Sequence, residues 1–191
     1  MRNLKCALSA IAMLVGSAAS ASAHVGWSSG FALVNGLAHP FAGADHVAAA
    51  LAVGLWAAMV GGRARLAWPA VFVALMCLGA VTGAAGHGLP GAELLILASV
   101  IGLGAAVALG VTPSLAVGSA VCAVFALAHG FAHGSEIAAG ASIAGYVAGL
   151  SVATALLHGL GLALGRALRG WLGMRFAGVA IGATGVGLAV A

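Results

Sequence analysis

The sequence predicts an all-α fold, a polytopic membrane bundle of about six transmembrane helices behind a cleaved signal peptide. Composition is the first reason. Of the 191 residues, 63% are hydrophobic and 5% charged, whereas soluble globular domains are roughly 45–50% apolar and about 25% charged. The second is pattern: apolar runs near the ~17–25 residues that a tilted spanning helix needs alternate with Gly, Pro and Arg. No run alternates apolar and polar residues in the two-residue period of a barrel strand. The third is the leader, which has a basic start, a short apolar run and a small-residue tail.

Taken in order, Arg2 and Lys5 precede an apolar run from Cys6 to Gly16 and the tail Ala21-Ser22-Ala23. That run is too short to span a bilayer and ends in an Ala-x-Ala cleavage site. Residues 1–23 are thus expected as a signal peptide and 24–191 as one transmembrane domain that begins at His24. Cleavage removes both leader cations and lowers the formal charge from +4 to +2. With no basic patch interleaved with aromatics, nucleic acid is excluded as a partner.

Segment 27–39 reads as a half-helix that Pro40 and Gly43 break, with Pro40 holding His39 out of helical geometry. Six spans follow, at 44–61, 67–86, 92–110, 114–133, 138–164 and 172–190. Arg63 and Arg65 lie between the first two spans, and Arg166, Arg169 and Arg175 flank the join of the last two. The positive-inside rule makes these joins cytoplasmic and puts both ends of the mature chain outside, as the signal peptide independently requires. Gly145/Gly149, Gly161/Gly165 and Gly178/Gly182 have the four-residue spacing that lets helix backbones approach. Cys6 leaves with the leader. Cys77 and Cys122 read as small core hydrophobes, since no Cys-x-x-Cys pair exists.

Against this apolar background stand two clusters, His39-Pro40-Phe41-Ala42-Gly43-Ala44-Asp45-His46 and His129-Gly130-Phe131-Ala132-His133-Gly134-Ser135-Glu136. An Asp within hydrocarbon costs about 2.5–3.5 kcal/mol on insertion scales, so such groups persist where they bind an ion or move a proton. The topology brings both clusters to the outer face, together with Glu93 and His87. On a helix, His129, His133 and Glu136 share a stripe roughly 60° wide. A purely structural reading would bond the histidine pair to carbonyls and leave Asp45 to complement a helix dipole. It leaves His39, His46 and the carboxylate at ligand spacing without a role. Imidazole with carboxylate suits Ni, Co, Zn, Cu or Fe, while Mg and Ca prefer oxygen shells, and the lack of thiolates disfavours Cu(I). Spacing alone does not separate Ni, Co and Zn.

No His-Glu-x-x-His or P-loop motif is present, and the only lysine is Lys5. An inside-negative potential favours influx of a divalent cation by about 4.6 kcal/mol per 100 mV, enough for uptake without ATP.

At these residues the chain resembles the HupE/UreJ family of bacterial nickel and cobalt permeases. The first family signature, His-Pro-x-x-Gly-x-Asp-His, is matched in full by residues 39–46, and His-Gly-x-x-His-Gly-x-Glu by residues 129–136. The resemblance implies a nickel and/or cobalt uptake permease in the bacterial inner membrane with a periplasmic mature N-terminus. It implies that His39, Asp45, His46, His129, His133 and Glu136 are needed for metal passage, with Glu93 as an accessory acid. The metal would be cargo, with no cofactor permanently bound and the lipid bilayer as surroundings. Nickel would then serve hydrogenase or urease, and cobalt would serve cobalamin.

His24, His87 and His158 are weaker candidates: His24 for capture beside a free amine, His87 as a solvated loop residue, and His158 either as an inward relay or bonded to a carbonyl. Two other functions compete. One is an intramembrane metal-dependent hydrolase with Glu136 or Asp45 as base. The other is a non-transporting subunit that docks a maturation partner, which the short loops disfavour.

Overall fold

The structure, a computed structural model, describes residues 31–168 and 170–190. The signal peptide, its cleavage site, His24 and Arg169 lie outside the described residues. Among those described, all regular structure is helical: α1 (Ala32–Ala38), a 3-10 turn (His39–Ala42), α2 (Ala44–Val60), α3 (Ala64–Ala84), α4 (Ala92–Leu109), α5 (Leu115–Ser135), α6 (Ile143–Ala167) and α7 (Trp171–Val190). Five helices are long and apolar enough to cross a membrane, and there are six spans if α1 with its 3-10 turn and α2 count as one broken span, bent by 84°. The chain is a multi-pass membrane protein.

The half-helix before the first span is present, but its break differs from expectation. His39 has φ −57° and ψ −46°, which is helical, and Pro40 continues it as the second residue of the 3-10 turn. Proline is tolerated in a first turn because the N–H it lacks would have no partner there anyway. The chain turns instead at Gly43, whose backbone is extended at φ −114°, ψ 125°. Any L residue can adopt that conformation. Glycine leaves room for the Asp45–His46 pair, since a Cβ would stand 2.5 Å from Asp45 Oδ1 and 2.7 Å from His46 Nδ1 and push these side chains aside.

α2 runs through the centre, buried without interruption from Val47 to Ala57. Around it the helices pair most extensively as α3 with α5, α4 with α7, and α2 and α1 with α6. Each pairing is made by glycine. A Cβ on Gly130 or Gly134 of α5 would collide with the Met76 or Ala80 carbonyl of α3. Gly161 lies against Leu51 and Gly54 of α2, Gly149 against Leu33 and Gly36 of α1, and Gly178 against Gly104 and Ala108 of α4. In lipid, where apolar burial gives helices no drive to associate, such backbone approach is what holds a bundle. Of the predicted pairs, Gly149, Gly161, Gly165 and Gly178 are in tight contact, Gly182 is approached closely by Gly104 of α4, and Gly145 has more clearance.

Span limits agree with expectation to within a few residues, except that α6 begins at Ile143 rather than 138, after a turn in which Gly140 has φ +80°. Arg63, Arg65, Arg166 and Arg175 share the end of the bundle opposite the histidine clusters. At that arginine end Trp56 and Trp68 stack with centroids 4.4 Å apart, and their indole N–H groups donate to the Val111 and Leu115 carbonyls. Cys77 and Cys122 are free thiols, Cys77 with its Sγ 3.0 Å from Ser151 Oγ.

Candidate metal centre

The two sequence clusters meet. His39 arrives from the 3-10 turn, Asp45 and His46 from the first turn of α2, His129 and His133 from the last two turns of α5, and Glu136 just beyond its end. The His46 ring lies 4.2 Å from that of His133 and 4.9 Å from that of His129, centroid to centroid, and His39 lies 4.8 Å from His133. Two groups of three ligand atoms result, His39/His133/Glu136 and His46/His129/His133, each with its atoms within 4.8 Å of one another. Nitrogen and oxygen ligands about 2.1 Å from one ion stand roughly 3–3.5 Å apart, so small side-chain adjustments would close either group. His133 belongs to both.

Hydrogen bonds orient these rings. The Asp45 carboxylate accepts from the His46 backbone N–H at 2.8 Å and lies 2.6 Å from His46 Nδ1. An ionised carboxylate only accepts, so Nδ1 carries the proton and Nε2, buried and without a hydrogen-bond partner, presents the lone pair. Carboxylate–histidine pairs of this kind fix tautomer and ring angle in metal sites. On the other helix, Ser99 donates to the Ile96 carbonyl at 2.6 Å and its oxygen lies 2.9 Å from His129 Nε2. With its hydroxyl proton thus engaged, Ser99 accepts from His129 Nε2–H, which leaves Nδ1 of His129 as the lone-pair nitrogen. His133 Nδ1 is likewise buried without a partner.

The groups differ in access. His129 and His133 are each 2% exposed, whereas the Glu136 side chain is 57% exposed and lies 2.7 Å from His39 Nε2. The hydrogen bond from His39 holds the Glu136 carboxyl below its usual range, against the opposing effect of burial. Above the cluster opens a vestibule of about 900 Å³, lined by Asp45, His46, Glu93 and Glu136 among others. Glu93, in the first turn of α4, lines this vestibule but joins neither group. His87 is exposed in a separate groove of about 400 Å³ beside Ser135 and also joins neither. His158 lies deeper and bonds the Ala50 carbonyl.

Sequence reasoning missed Ser99 and Tyr146. Tyr146, the one tyrosine of the chain, packs its ring edge-on to His39 at 5.5 Å. The available signal was, for Ser99, a solitary hydroxyl in an apolar span and, for Tyr146, the one phenol of the chain.

The profile described as HupE / UreJ protein matches residues 11–188. The chain belongs to the HupE/UreJ family. Protein HupE of Rhizobium leguminosarum bv. viciae is 41% identical over 176 residues, which cover 89% of this chain and 90% of the relative. No solved structure matches this HupE/UreJ chain significantly. Both histidine signatures lie inside the matched region.

Proposed function

We propose that this chain is an uptake permease for nickel and/or cobalt in the bacterial inner membrane, with the histidine end facing the periplasm and a mature N-terminus at His24. The observation that carries the reading is His133, shared by a vestibule-side group with Glu136 and a buried group with His46 and His129. A cation losing water in the vestibule would bind His39, His133 and Glu136. It would then move to His46 and His129 while keeping His133 as a ligand, so it is never without coordination. Asp45 acts in this scheme as a positioning residue for His46, and Glu93 as a negative charge that concentrates cations in the vestibule. Nitrogen–oxygen shells favour first-row transition metals over Mg and Ca.

The membrane potential supplies the driving force, and the metal is cargo rather than resident cofactor. The family resemblance points to hydrogenase, urease or cobalamin synthesis as the consumer. A hydrolase is less well supported, because both carboxylates offered as its base are engaged, Asp45 with His46 and Glu136 with His39. The test is accumulation of radioactive nickel and cobalt by cells expressing the wild type or His46→Ala. A fall of at least about tenfold in the variant is expected, the scale on which metal-site changes act. Wild-type accumulation by His46→Ala would sink the assignment.

A further inference from the structure

His158 has no part in the site so far described. It sits in α6, 1% exposed, with Nδ1 2.8 Å from the Ala50 carbonyl oxygen of α2. A carbonyl only accepts, so Nδ1 carries the proton and Nε2 the lone pair. That Nε2 is buried and has no hydrogen-bond partner. A histidine kept only to bridge α6 to α2 has no use for this second nitrogen, and burying an empty acceptor is unfavourable.

A cavity whose lining reaches Phe72, a ring in contact with His158, gives the nitrogen a purpose. This cavity of about 10 Å³ is bounded by His46, His129 and His133 together with Met76 and Thr154, room for about one water-sized species. Thr154 is one helical turn before His158 on α6, and its hydroxyl donates to Met76 Sδ at 3.5 Å. The Phe72 ring lies tilted 5.8 Å from the His129 ring and meets His158 edge-on at 5.1 Å, so one aromatic ring is in contact with both imidazoles. Imidazole, thioether and hydroxyl thus succeed one another from the cluster toward the arginine end.

We propose that His158 Nε2 is a second, deeper coordination point for the transported divalent cation, reached from the His46–His129–His133 group through the cavity bounded by Met76 and Thr154. The inference rests on the permease reading. The cation class is the same, a borderline first-row metal that accepts nitrogen and sulfur ligands. Coordination at His158 lets the ion leave the cluster without regaining its full water shell inside the bundle.

The test uses the full chain in proteoliposomes and compares wild type with His158→Asn, whose amide can donate to the Ala50 carbonyl in place of Nδ1 but has no counterpart of Nε2. Equilibrium binding of nickel-63 to the purified protein reports the cluster, and initial uptake reports passage. The expected result is binding within about twofold of wild type with uptake lowered at least about tenfold. Uptake within about twofold of wild type would show that the carbonyl bond is all His158 provides, and would overturn the proposal. If His158→Asn does not reach the wild-type melting temperature, Met76→Leu takes its place, since it removes the thioether at nearly constant volume. A fall in its uptake with unchanged binding supports the path, and unchanged uptake overturns it. Absence of uptake by the wild type would overturn the permease reading and the deeper site with it, whereas a transporting His158→Asn overturns the deeper site alone.

Discussion

Asp45 and His46 are neighbours in sequence, and on a regular helix such neighbours do not face each other. At the first turn of α2 the restriction lapses. The backbone N–H of His46 has no carbonyl one turn back to bond, so the Asp45 carboxylate folds onto it and takes Nδ1 of the same residue. The sequence supports six residues gathered around a cation, but it does not distinguish those presenting a lone pair from those that orient a ring. The distinction is testable. Asp45→Asn keeps size and an accepting oxygen but loses the charge that fixes the His46 tautomer, so nickel affinity measured by calorimetry should fall about 10–100-fold, the range for outer-shell partners. Ser99→Ala, which removes a neutral partner of His129, should cost less in the same titration. Equal losses would mean that Asp45 does no more than any hydrogen-bond acceptor. The helical conformation of His39 also escapes a residue-level reading, because the rule for residues before proline is a bias and the 3-10 turn overrides it.

At the scale of elements, hydropathy makes the spans readable nearly to their ends, because the bilayer imposes both length and composition. Packing partners are much less readable. A four-residue glycine spacing marks a helix for close approach without naming the helix it meets. The second signature shows how closely packing and chemistry are joined, since His129 and His133 are each followed by a glycine pressed on the α3 backbone. Gly130→Ala and Gly134→Ala should therefore each destabilise the bundle by about 1–3 kcal/mol, the cost typical of overpacking, because the colliding atoms are carbonyls that cannot swing aside. Thermal unfolding in detergent would check this, with Gly159→Ala, which faces open space, as the control expected to unfold like wild type.

For the whole molecule, the histidine end and the arginine end are opposite, and the orientation proposed above follows from the arginines. A membrane-impermeant maleimide applied to intact spheroplasts should label His87→Cys and spare Arg63→Cys, both at exposed positions. Labelling with the reverse preference would invert the direction of transport. The convergence of the acids and histidines on one end was legible because connectivity alone places alternate loops on alternate faces. That His87 stays apart from the cluster was not, because being on one face does not specify which groups touch.

The glycine contacts join α5 to α3, and α1 and α2 to α6, as two separately riveted blocks. His129, His133 and Glu136 ride on the first block and His39 and His46 on the second. A cation held by ligands from both would therefore straddle a seam. Bound there, a cation would tie together two blocks that, among the described residues, no close glycine contact joins.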